Sequence, residues 1–210
     1  MPYIPPKNRP DLDRCVDDLA EEIARTLSEK GETAEISTRY RSAFMAISEF
    51  IRQSEHGRKP KAASGSDKLA AMILAKAADY GIQGGWTGEL NYAITRLIQK
   101  VPMAMVKKGA WSEPLRYWIY AETVGALTRT AYELHARLDN DYVGNGLAGV
   151  FEDVKDEYKR RVNTAYEAAQ ILKSGDCYDL VPYRTALVPA KVGGVEGFQE
   201  VMLPRQELPR

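Results

Sequence analysis

An all-α fold is what the sequence predicts: a bundle of about six helices, with an extended arm at the front and a non-helical tail behind. Three observations carry that expectation. Apolar residues return in steps of three and four through most of residues 11–178, most clearly at Leu147, Val150, Phe151, Val154 and Tyr158. Prolines gather at the two ends, four of them in Met1–Pro10 and four more beyond residue 178 (Pro182, Pro189, Pro204 and Pro209). Alternation of strand type is confined to the tail, around Thr185–Val192 and Val195–Leu203, where Gly193-Gly194 between the two stretches suits a short hairpin.

Each element has its own local signal. Residues 1–10 read as an extended arm, because proline removes backbone donors and fixes φ. The first helix is expected over 11–30, with Leu12, Val16, Leu19, Ile23 and Leu27 on one side and Gly31 as its stop. A second, over 36–55, places Tyr40, Phe44, Ile47 and Ile51 together. After a loop at 56–66 with a basic tip (Arg58, Lys59, Lys61), Ser66 is the expected cap of a helix over 67–80. The glycine-rich GIQGGWTG reads as a tight turn with Trp86 packed inward, followed by a helix capped by Thr87 and stopped ahead of Pro102. Ser112-Glu113-Pro114 is expected to open a long helix over 113–138. Beyond the turn DNDYVGNG, a last helix carries an apolar stripe from Leu147 to Ala169 and a dense two-signed face. The domain reading is therefore arm 1–10, helical domain 11–178 and tail 179–210.

Bulk properties exclude several classes. At 210 residues, with 44% hydrophobic and 28% charged residues, the chain suits one substantial core. Lysine plus arginine and aspartate plus glutamate both number 29, so nucleic-acid binding is not indicated. Apolar runs such as LAAMILAKAA are too short for a bilayer, and MPYIPPKNRP lacks the layout of a secretory signal. Cys15 and Cys177 are expected to be reduced thiols of a cytoplasmic protein. With His56 and His135 as the only histidines, they form no standard zinc pattern.

Three blocks resemble an uncharacterised family of small helical proteins of archaea, bacteria and phages. They are MPYIPPKNRPDLD running into DDLAEEIA, then GELNYAITRL (88–97), then the stretch from Asn145 through GVFEDVKDEYKRRV and AYE to GDCY. Matching positions in the second block are Glu89, Asn91, Tyr92 and Arg96. In the third they are Asn145, Glu152, Lys155, Glu157, Arg160, Arg161, Tyr166, Glu167, Asp176 and Tyr178. The resemblance covers a little under half of the chain, implies a compact helical fold and supplies no reaction. Residues 33–86 and much of 101–142 look, on that resemblance, like insertions into a smaller core.

The leading functional expectation is a non-catalytic binding protein with a polar cleft between helices. Glu89, Asn91, Tyr92 and Arg96 would face Glu152, Lys155, Glu157, Arg161 and Tyr166 across it. Arginine and lysine would supply charge-assisted donors and the tyrosines stacking faces for a small anionic, nucleotide-like ligand or a protein partner. A second expectation is a Mg²⁺-dependent enzyme resembling the all-α nucleotide pyrophosphohydrolases, with Asp18, Glu21, Glu152 and Asp156 around the metal. Acidic i,i+3 pairs such as Asp18/Glu21 and Asp153/Asp156 motivate it. The third is a structural or assembly protein, with the charged helix as its assembly surface; separately, the apolar arm and tail are expected to wrap the body or a neighbouring subunit of a homo-oligomer.

Overall fold

The computed structural model describes residues 4–30, 35–82, 84–138, 141–174, 184–192 and 195–203. It divides into two compact units, residues 1–159 and 160–210. The first unit holds six α-helices: α1 (Arg9–Lys30), α2 (Ile36–Glu55), α3 (Gly65–Ala77), α4 (Trp86–Lys107), α5 (Tyr117–Arg137) and α6 (Tyr142–Tyr158). A π-helical turn, Lys159–Asn163, and α7 (Thr164–Ser174) follow. The tail then carries the expected hairpin, β1 (Arg184–Val192) paired antiparallel with β2 (Val195–Leu203) in the register Val192 opposite Val195. Among the described residues no helix is long and apolar enough to cross a membrane.

Apolar spacing decides which face of each helix turns inward. Leu12, Val16 and Leu27 of α1, Tyr40, Phe44 and Ile51 of α2, and Leu90, Ile94 and Leu97 of α4 are fully buried. Helix α4 lies between two groups: it packs on α1 and α3 on one side and on α6 on the other, while α2 and α5 complete the core. The Tyr40 and Phe44 rings stack at 5.5 Å, and Phe44 meets Phe151 of α6 at 5.2 Å. Helices α2, α3 and α5 supply many of the buried side chains of this core.

Several boundaries differ from the sequence expectation, each for a local reason. In the arm, Pro5 sits at φ −54° and ψ 136°, but Pro6–Asn8 form a 3-10 turn that leads directly into α1. The cap of α3 is Ser64, not Ser66: its hydroxyl accepts the Asp67 N–H at 3.1 Å while the Asp67 carboxylate accepts the Ser64 N–H at 2.9 Å. Gly81 and Gly84, at φ 61° and 74°, make the turn into α4, which starts at Trp86 with Gly85 rather than Thr87 as its cap; the indole is buried as expected. Helix α5 starts four residues late, at Tyr117; ahead of it Arg116 is extended and donates back to the Glu113 carboxylate (2.9 Å) and the Ser112 hydroxyl (2.5 Å). The two-signed helix runs on from Tyr158 through a π turn into α7, where Ala165 and Ala169 are exposed.

The most instructive departure is Pro102, which lies inside α4 rather than ending it. Proline at this position deprives the Ile98 carbonyl of its helical donor. The buried Tyr40 hydroxyl donates to that carbonyl at 3.3 Å and so completes the ladder from a neighbouring helix. Tyr40→Phe keeps the ring packing and removes the donor. It is expected to lower the unfolding free energy by about 1–3 kcal/mol in urea titrations, the usual cost of an unsatisfied buried polar group; an unchanged value would contradict this role.

Candidate functional site

The polar side chains of α4 radiate in two directions. At about 100° per residue, Glu89, Tyr92 and Arg96 fall within roughly 60° of one another, while Asn91 points to the far side. Their partners agree with that geometry.

Glu89 is fully buried in the first turn of α4. One of its oxygens, Oε1, accepts the Asn8 side-chain N–H at 3.2 Å and also the Tyr80 hydroxyl. Asn8 comes from the 3-10 turn Pro6–Asn8, and Tyr80 from the 3-10 turn Ala78–Tyr80 that trails α3. Burial and the neighbouring Glu89 carboxylate push the Tyr80 phenol up to about 12, so it stays a donor across the physiological range. The second oxygen, Oε2, has no hydrogen-bond partner. A buried carboxyl of this kind is costly unless its partners are held in place.

One turn further on, the Tyr92 hydroxyl (3.0 Å) and Arg96 Nε (3.1 Å) both donate to Oδ1 of Asp13 on α1, and the Arg9 guanidinium lies 5.9 Å from the Tyr92 ring centroid. Burial and the Asp13 carboxylate raise the Tyr92 phenol above its ordinary value. The ladder continues up the parallel helices. Lys100 meets Asp17 at 2.7 Å, and Lys108 and Lys107 meet Glu21 at 3.1 and 3.6 Å. Lys76 of α3 closes on Asp11 at 2.5 Å. These lysines hold the Asp11 and Glu21 carboxyls below the usual carboxylate range. A groove of about 460 Å³ along α1 and α4 is lined by Asp17, Asp18, Glu21, Lys100, Met103 and Lys107, but its ladder charges pair with one another.

On the opposite side of α4, the buried Asn91 donates to the Asp153 carboxylate of α6 at 2.6 Å. Asp153 is therefore an interhelical acceptor. Lys155 of α6 pairs with Glu152 one turn back on its own helix. Glu157 is half-buried on α6, whereas Arg161 and Tyr166 belong to the second unit. Within the first unit, Glu89, Tyr92 and Arg96 serve the α1 side of α4, and Asn91 serves α6.

The expected Mg²⁺ cluster is not assembled. Asp18 and Glu21 lie on α1, Glu152 and Asp156 on α6, and among the described residues no group of three or more His, Cys, Asp or Glu converges. Glu21 and Glu152 are instead held by lysines. Cys15 is half-buried with its thiol pushed up by that burial; Cys177 lies outside the described residues. His135 is exposed.

A His–carboxylate pair that the sequence did not bring together joins α2 to α6, with His56 Nε2 3.0 Å from the Asp141 carboxylate. Burial pushes the Asp141 carboxyl up, but the His56 contact and the N–H groups of Val143 and Gly144 outweigh it and hold it below the ordinary range. Asp141 also caps α6, so this pair clamps the end of α2 to the start of α6.

Fold and polar network together define a helical-bundle domain braced by interhelical ion pairs. The chain belongs to a family described as a domain of unknown function (DUF6899), whose model matches residues 1–145. That match takes in the arm, the GELNYAITRL block and both stretches read as insertions. Comparison with the curated proteins and with the solved structures returns no match.

Asn8, Arg9, Asp13 and Tyr80 complete the constellation, and sequence reasoning did not select them. The signal for three of them was on the page, in the MPYIPPKNRPDLD block itself, whose asparagine, arginine and second aspartate are these residues. Because the carboxyls of Asp11 and Glu21 are depressed in the folded state, their contribution is complete above the unfolded carboxylate values of about 4 and is lost as pH falls through the lower folded values. Melting temperature is expected to fall in acid, and to fall less steeply in a Lys76→Met/Lys108→Met variant. Identical pH profiles for the two proteins would contradict these pairs.

Proposed function

We propose that the protein is a non-catalytic binding protein that recognises a protein partner through the outward face of α5. The observation that carries this reading is an imbalance in the first unit. Along the α1–α4 seam the facing charges pair with one another, whereas α5 presents Glu122 and Arg129, which make no hydrogen bond or ion pair among the described residues, beside Tyr132 at 77% exposure. Tyr117, at 58% exposure, extends the same surface. Between α2 and α5 lies a recess of about 120 Å³ lined by Ser37, Thr38, Arg41, Glu122, Gly125 and Arg129. Exposed tyrosine beside arginine is the composition of protein-binding surfaces.

A small anionic or nucleotide-like ligand on the α4 residues is a weaker reading. It would have to displace Asp13 from Arg96 and Asp153 from Asn91, exchanging made contacts for new ones. Metal-dependent nucleotide hydrolysis is not carried forward, for want of convergent carboxylates. The cytoplasmic setting and the phage occurrence belong to this proposal on the sequence reading alone.

A photo-crosslinking residue at Tyr132 should give a light-dependent protein adduct in cells, and the same residue at Arg25 on α1 should not. No adduct at 132, together with saturable nucleotide binding abolished by Arg96→Ala, would overturn the proposal in favour of the α4 site.

A further inference from the structure

Resting on that reading, we infer that the partner of the α5 face is a second copy of this chain, docked antiparallel across a twofold axis that passes close to Gly125. The outward stripe of α5 reads Tyr117, Ala121, Gly125, Thr128, Tyr132, with a tyrosine at each end and small residues between. At about 100° per residue these five lie within roughly 80° of one another, so they form one strip of surface. A Cβ added at Gly125 meets nothing within 4 Å, which leaves the middle of the strip open to close approach.

Charge fixes the choice of occupant. Glu122 and Arg129 flank Gly125 on the same edge of that strip, and neither has a partner among the described residues. A twofold axis perpendicular to two antiparallel helices brings matching edges together and reverses the order along them. With the axis between residues 125 and 126, Glu122 of one copy stands level with Arg129 of the other, and the pair occurs twice. The same operation brings Ala121 opposite Thr128 and Tyr117 near Tyr132, each within about 3 Å along the axis at 1.5 Å per residue. A foreign partner gives no reason for opposite charges, aromatic ends and a small-residue centre to be arranged symmetrically about one point. An isologous dimer requires it.

The test is sedimentation of the full-length chain at increasing concentration, with charge-reversed variants. Wild type is expected to sediment as a dimer. Glu122→Arg places two cations on the edge and Arg129→Glu two anions, so each variant alone should dissociate about tenfold more readily through like-charge contact. An equimolar mixture of the two variants restores both pairs and should recover the dimer as a heterodimer, which native mass spectrometry distinguishes by mass. Helical circular dichroism of each variant checks that the protomer is folded. A monomeric wild type, or a mixture that stays as dissociated as its components, overturns the inference. A monomeric chain whose Tyr132 adduct in cells contains a different protein overturns the second copy while leaving the binding reading in place; a monomer with no adduct overturns both.

Discussion

The fully buried carboxyl of Glu89 is the constraint around which the first unit is arranged. Taking a carboxyl out of water costs several kcal/mol unless other groups replace the lost hydration, on the order of magnitude known for buried ions. Asn8 and Tyr80 provide that replacement, and they come from two separate 3-10 turns. For Glu89 to be buried, the chain ahead of α1 and the turn after α3 must both be in place. One side chain therefore ties the front of the protein to the start of its central helix. Surface ion pairs of the kind seen at Asp17–Lys100 contribute little individually. Their place here is to match the register of α1 along α4.

Helix α4 shows the same economy in its backbone. Pro102 breaks the helical ladder at Ile98, and Tyr40 repairs it from α2, so a defect in one helix becomes a specific contact between two. Asn91 ties the other face to α6. The polar groups of α4 thus find their partners inside the first unit.

Helix positions, the core stripes and the tail hairpin were legible in the sequence because each is set by residues close together in the chain. Glycine turns, apolar spacing and the Gly193-Gly194 pair are local signals. Pro102 was misread because its rescue by Tyr40 acts across a long sequence separation that no local rule contains. Glu113 did not start α5, and Arg116 donates to two acceptors behind it. Of the candidate site, the polar residue types on α4 were legible in the sequence, but their partners within the fold were not. Asn8, Asp13 and Asp153 turned potential ligand contacts into internal ones, and only the packing of helices distant in sequence shows which acceptor each donor meets.

The central claim is that the polar residues of the arm and of α4 form a structural clasp rather than a vacant ligand site. A double-mutant cycle between Asn8→Ala and Glu89→Ala, read by urea unfolding of the full chain, tests it most directly. A clasp predicts a coupling of about 1–3 kcal/mol between the two positions, as for groups that share a buried hydrogen bond. Additivity to within about 0.5 kcal/mol, the behaviour of independent sites, would contradict it.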